Sequence, residues 1–356
     1  MKFDNGMSRR SFLGLCGVAS LGVAGGLAGC GGSGDTKAAT TAAAETPKYE
    51  AASMRVAFMP NLGSAATLFT AIEQGYFDEV NITVETQQFQ AGPAEITAMA
   101  SGDIDVAQIG HGAHSLAIGG EAKIFAFDQL SQADEVVANK EKGINSAADL
   151  KGKTVGVASG TSSEIILQYV LEGAGLTMDD ISKVEMDVSG MTTALISGQI
   201  DAAATWSPNT VTLKEQLGDN YLSLGTNTDY SDKVAFPGSY CCNPTYAEEH
   251  KDLLVRFGAA LDKGKVYRNE HIEEVAKLLA AKLDVPEDTL LQSTGEGDWA
   301  GAADAIGKTD VIEGYYKAQQ QVFIDGGKIE AEVPVADYVM LDVIEESDKL
   351  YADELK

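Results

Sequence analysis

The sequence predicts an α/β protein built from two similar lobes that face each other across a ligand cleft. Two observations lead there. Residues 97–107 read TAMASGDIDVA and residues 193–203 read TALISGQIDAA, with seven of eleven positions identical. Upstream of each copy stands a second matched pair, a short apolar stretch followed by a helix pattern: 55–58 then 64–74, and 154–157 then 161–172. Strand, helix, helix, strand, in the same order at nearly the same offset, describes one α/β unit made twice.

Before the first lobe the chain reads as an address and a tether. Arg9 and Arg10 precede an apolar, Gly-rich run over 13–28, which closes on Leu27-Ala28-Gly29-Cys30. That run falls short of the roughly 20 apolar residues a membrane-spanning helix needs. The order of parts resembles a bacterial twin-arginine export signal ending in a lipoprotein box, which implies lipid on Cys30 and an extracytoplasmic, membrane-anchored protein. Gly14 departs from that pattern, which often has Lys there. Residues 31–53 are mostly Gly, Ser, Thr, Ala and Glu, with one Pro and without helix or strand period, and read as a flexible linker.

The body that follows can bury two cores, because 44% of the chain is hydrophobic. The formal charge is −27, and loss of Lys2, Arg9, Arg10 and Asp4 with the signal would take it to −29. Such a field repels polyanions and speaks against nucleic acid as a partner.

In the first lobe, Arg55–Phe58 is the opening strand and Ser64–Gln74 its helix, stopped by Gly75. The first repeat ends a helix, turns on Gly102 and starts a strand at Ile104. Glycine suits the residue after a helix because it adopts a left-handed backbone without penalty. In the second lobe, Lys151-Gly152-Lys153 turns into the strand Thr154–Val157. Thr161-Ser162-Ser163-Glu164 then has capping-box spacing, with Glu164 able to reach back to the cap, and Gly173 ends the helix. Gly198 and Ile200 repeat the turn and strand start. Beyond Tyr246 the tail is mostly helical, with Leu253, Leu254, Phe257, Ala260 and Leu261, then Val275, Leu278, Leu279 and Leu283, at core-facing spacing.

In open α/β sheets ligands bind beyond the carboxyl ends of the strands, so the repeat itself predicts the site. Asn61 and Ser64 follow the first strand; Thr161, Ser162 and Ser163 follow its counterpart. Gly110 and His111 follow the first repeat, and Trp206 follows the second; Ser189 precedes the helix leading into it. Glycines let backbone approach a ligand, and helix-start amides with hydroxyls can hold an anionic head group. Thr161 and the serines serve as cap, ligand contact, or both. His111 is a surface histidine or a contact, His114 a helix-start residue. Trp206 is core or a flat wall for the ligand. None of these stretches carries a basic residue.

DLKGKTVGV at 149–157, the paired SGxID segments, Trp206-Ser207-Pro208, FQAGPAE at 89–95 and GTSSE at 160–164 together resemble the substrate-binding proteins of ABC importers. The nearest group serves sulfonates, taurine, nitrate and pyrimidine thiamine precursors. The resemblance spans roughly 54–345. It implies a periplasmic-binding-protein type II fold, with the second lobe inserted into the first and a two-strand hinge. The crossings would lie at Glu135–Asn139 and Ser239–Asn243. Lobe 1 would then be 54–137 plus 241–356, and lobe 2 138–240, after a signal over 1–30 and a linker over 31–53. The implied partners are a small-molecule ligand, with an aliphatic sulfonate or taurine first, and a permease–ATPase complex. The protein would be a monomer anchored through lipid. No cofactor, metal set or nucleophile motif is read. The alternatives are binding of nitrate or a pyrimidine precursor, or an enzyme on the same fold acting on a small heterocycle. Pyrimidine synthases resembling this family depend on a cysteine cluster and a histidine. Here Cys241 and Cys242 are adjacent, and read as two small buried residues or as a disulfide between neighbours.

Overall fold

The computed structural model describes residues 48–356. The whole signal, Cys30 included, and most of the tether lie outside the described residues. In chain order the strands are β1 (Ala52–Phe58), β2 (Ile82–Gln88), β3 (Val106–Ile109), β4 (Lys123–Leu130), β5 (Asp134–Asn139), β6 (Thr154–Val157), β7 (Ser182–Glu185), β8 (Ala202–Trp206), β9 (Tyr221–Thr226) and β10 (Pro237–Cys242). They form two five-stranded sheets, ordered β2-β1-β3-β10-β4 and β7-β6-β8-β5-β9. In each, three parallel strands are followed by an antiparallel one: β10 against β3, and β5 against β8. The two-lobed α/β architecture expected from the repeat is therefore present, down to strand order.

The repeated aspartate has a local job that explains its repetition. Asp105 accepts the backbone N–H of Arg55 at 2.8 Å, and Asp201 accepts that of Thr154 at 2.8 Å. Asp105 ties the start of β3 to β1, and Asp201 ties the start of β8 to β6. Pairing starts one residue later, at Val56↔Val106 and Val155↔Ala202, so β3 and β8 begin two residues after the expected Ile104 and Ile200. The glycines before them do turn left-handed, with φ of 78° at Gly102 and 71° at Gly198.

The chain passes between the sheets at 131–133 and 227–236. Glu135–Asn139 and Ser239–Asn243, expected as crossings, instead lie in or beside strands that each belong wholly to one sheet. The reason is the antiparallel fourth strand: each crossing delivers the chain directly into the other lobe's ladder. Residues 134–137 thus pair in the second sheet, and 237–240 in the first. Two further details differ. Gly173 is the last helical residue, and the left-handed turn falls at Gly175, φ 70°. Cys241 and Cys242 are buried and free, because neighbours on a strand point to opposite faces.

Tail helices Lys251–Glu270 and Ile272–Leu283 pack Leu254, Phe257, Leu261, Val275 and Leu279 onto one face of the first sheet, against Phe58, Leu68 and Phe125. Fully burying each such side chain contributes about 1.5–3 kcal/mol, which makes this face a rigid backing for the cleft. Among the described residues no helix is long and apolar enough to cross a membrane, and no group of acid, His or Cys side chains is placed to hold a metal ion.

Candidate functional site

The two lobes build their cleft edges with the same device. After β1 the chain turns into the helix Leu62–Glu73, where the Asn61 side chain accepts the Ser64 N–H at 2.9 Å and Ser64 Oγ accepts the Met59 N–H at 2.9 Å. After β6 it turns into the helix Ser162–Gly173, where Thr161 Oγ1 accepts the Ser163 N–H at 3.3 Å and Ser163 Oγ accepts the Ala158 N–H at 3.2 Å. The serine hydroxyl locks strand to helix in both. What remains unbonded within each helix is its first amides, at Leu62–Gly63 and at Ser162, and both helix starts border one cavity.

Asn61, Ser64, Gly110, His111, Thr161, Ser162 and Trp206 all line that cavity. It holds about 60 Å³ measured to the centres of water-sized spheres, against roughly 10–15 Å³ for a single ordered water. Two candidates do not line it. Ser163 Oγ is turned into the second lobe, donating to the Ala204 carbonyl at 2.6 Å. Ser189 is exposed on the helix Val188–Ile196, away from the cleft. The capping box also differs: the Glu164 carboxylate accepts from Gly160, one residue before the cap, at 3.0 Å. That leaves it free to take Lys328 from the opposite lobe at 3.0 Å.

His111 is buried, with a Phe236 ring at 5.0 Å, and is no surface residue. Its Nε2 lies 3.5 Å from Asp134 Oδ2 without making a hydrogen bond. Burial lowers the imidazole to about 3, so at neutral pH it is uncharged and the contact is not an ion pair. Burial likewise raises Asp134 to about 6, opposed by hydrogen bonding from Ser162 and Ser131. His114 is buried on the first-lobe side, with Nδ1 2.8 Å from Gln319 Oε1. Trp206 is both wall and core: it borders the cavity and packs in the second lobe with Val188 and Leu213.

Sequence reasoning missed Asp134, Gln108, Gln129 and Ser131, which also line the cavity. Gln108 carried a signal, a lone amide in the otherwise apolar strand β3. The others stand just before Glu135–Asn139, the stretch expected to be a crossing, where no site residue had been expected. No Lys or Arg lines the cavity, as the four cleft stretches had suggested. The nearest guanidinium is spent one layer back: Arg268 Nη1 meets Asp128 Oδ1 at 2.9 Å, and Asp128 Oδ2 accepts the Gln108 amide at 3.1 Å.

Two lobes, matched helix starts and a cavity between the lobes define a periplasmic-binding-protein fold of type II. The chain belongs to the NMT1/THI5-like family, which it matches over residues 63–275. A protein of Brucella abortus named only as a binding protein is 28% identical over 81% of this chain and 90% of its own. The taurine-binding periplasmic protein of Escherichia coli is 23% identical over 56% of this chain and 65% of its own. The solved alkanesulfonate-binding protein of Xanthomonas axonopodis pv. citri, bound to MOPS, superposes with a TM-score of 0.66 at 20% identity, covering 82% of this chain and 98% of that one. A desulfurization enzyme shares the fold as well, with a TM-score of 0.60 at 17% identity over 83% and 98%.

Proposed function

We propose that this chain is the solute-binding protein of an ABC importer, capturing a small organic solute between its lobes and delivering it to a membrane permease and its ATPase. The observation that carries this reading is the shared cavity, walled by Asn61 and His111 from one lobe and by Thr161, Ser162 and Trp206 from the other. A ligand held by both walls stabilises the closed form, which is the form a permease can recognise. An aliphatic sulfonate or taurine fits the two helix starts, whose free amides can hold an oxyanion. The names of several relatives point to the same class of solute. Lipid on Cys30 would keep the protein at the membrane surface, and Cys30→Ala should release it to the soluble fraction.

Binding without turnover is favoured over catalysis. Cys241 and Cys242 are buried strand residues, and burial pushes the Cys242 thiol up to about 12, so neither serves as a thiolate nucleophile. Calorimetry of the purified body against sulfonates, taurine, nitrate and pyrimidines tests the reading. Saturable binding with the compound recovered unchanged supports it; conversion of a bound compound would replace it with the enzyme.

A further inference from the structure

Resting on the solute-binding reading, we infer that the cavity selects a solute bearing an N–H donor group, ammonium or amino, and rejects anions that lack one. Beside the two helix starts, the cavity wall carries a set of acceptors. Gln108 is 2% exposed, and its amide nitrogen donates to Gly63 O at 3.2 Å and to Asp128 Oδ2 at 3.1 Å. Those two bonds fix the orientation of the amide, so its Oε1 is an acceptor, and it has no partner. Gln129 Oε1 is also buried without a partner. Asp134 adds a carboxylate, 2% exposed, whose only neighbouring imidazole is uncharged at neutral pH.

A buried acceptor without a donor costs free energy, and the cost is removed by a ligand or water that donates to it. Two such amide oxygens beside a carboxylate in one small cavity, with no cation in the wall, call for donors from the ligand. A donor-free anion would occupy the same space as an ionised carboxylate, at short range and low dielectric, where repulsion is strong. Burial raises Asp134 only to about 6, so it is mostly ionised at neutral pH. The free helix-start amides supply donors beside these acceptors, so a zwitterion can satisfy both sets, and a neutral amino-heterocycle can satisfy the acceptors alone. Asp134 is thereby the specificity-determining residue.

The test compares taurine with ethanesulfonate, which differ only by the ammonium group, and adds cytosine and nitrate as a neutral donor and a second donor-free anion. Calorimetry at pH 7.5 should give binding by taurine or cytosine roughly 10- to 100-fold tighter than by ethanesulfonate or nitrate, the scale of a charge-assisted hydrogen bond. Asp134→Asn keeps the shape and should shrink that ratio severalfold. Gln129→Met, a milder change, should weaken the donor-bearing compound while leaving ethanesulfonate unchanged. Circular dichroism melts confirm that both variants fold. Ethanesulfonate or nitrate binding as tightly as the best donor-bearing compound would overturn this inference and leave the solute-binding reading standing. An unchanged ratio in both folded variants would overturn it too. No saturable binding by any of the four at millimolar concentration would overturn both.

Discussion

Gly112 of the first lobe lies against the backbone of Thr161 in the second, so close that a methyl group on Gly112 would come within 2.0 Å of the Thr161 carbonyl carbon. No side chain fits between them, and the clash would be with backbone rather than with a yielding side-chain end. The contact joins the 3-10 turn His111–Ala113 to the start of the helix Ser162–Gly173, which places it at the rim of the cavity. Around it the lobes touch through Lys328–Glu164 at 3.0 Å and Ser207–Ser293 at 2.6 Å.

Gly112→Ala is therefore expected to hold the lobes apart without disturbing either core. Small-angle scattering should show a larger radius of gyration for the variant than for the parent under saturating ligand. Affinity should fall by more than tenfold, since the two walls no longer meet on the solute. A variant that closes and binds like the parent would show that the contact yields, and that closure is set elsewhere. The Lys328–Glu164 pair is a weaker brace: Lys328 is partly exposed, and such pairs contribute about 0–1 kcal/mol.

Behind the acceptor wall, Arg268 and Asp128 are both fully buried. Arg268 also donates to the Asp128 carbonyl at 3.0 Å and to the Thr67 hydroxyl, and lies 4.6 Å from the centre of the Trp299 ring. Arg268→Met would strand the Asp128 carboxylate in the core, and is expected to cost about 3–5 kcal/mol in urea unfolding. Adding Asp128→Leu removes the stranded charge and should recover part of that loss. The double variant should still bind poorly, because Gln108 loses the carboxylate that orients its amide. Recovery of stability together with full affinity would separate Gln108 from the site.

Much of the fold was legible because it was written twice. The SGxID segments located a helix end, a left-handed glycine and a strand in each lobe, and the aspartate turned out to fasten one strand to the next. The cleft edges were legible for the same reason: a repeat marks which strand ends face each other. What the sequence concealed is what one lobe contributes to the other's ladder. Asp134 opens β5, which pairs with Trp206 of β8 across a distance of 72 positions in the chain. No local pattern signals that pairing, so the carboxylate in the cavity wall was invisible, as was Gln129 on β4. Ser163 and Ser189 misled in the opposite way. Hydroxyls near a helix start serve the backbone as readily as a ligand, and only the direction of the side chain separates the two uses.

Stability should fall as pH rises from about 5 to 8.5, because several buried acids hold protons in the folded protein that they would release on unfolding. Burial is the main cause for Glu296, raised to about 8, with Glu135 and Asp134 pushing the same way and Ser207 and Ser293 opposing. Burial also raises Asp348 to about 7, aided by Asp262 and opposed by Lys265 and the Gly307 N–H. Glu95, whose two oxygens have no partner, is raised well above the usual range by burial alone. The sign follows from proton counts. Each folded-state value lies above the unfolded one, so the stabilising contribution is complete below about pH 4 and is lost as pH climbs through the folded value. Acids shifted the other way, such as Asp149 and Asp180, are held down by hydrogen bonds, so their contributions are lost below about pH 4, outside this window. Buried His111 and His114, lowered to about 3, oppose the trend up to about pH 6.5, where the unfolded chain binds their protons, but two imidazoles do not outweigh the three raised acids. The melting temperature should accordingly be higher near pH 5.5 than near pH 8.5, by roughly 2–4 °C for each kcal/mol of linkage. Glu296→Gln keeps the shape of the protonated acid and removes its titration, so the variant should melt above the parent at pH 8.5 and match it at pH 5.5. Equal slopes in parent and variant would mean that Glu296 does not carry the linkage, leaving Asp348 and Glu95 as its source. A parent that gains stability with rising pH would mean that these acids are ionised in the folded protein, and would overturn the linkage altogether.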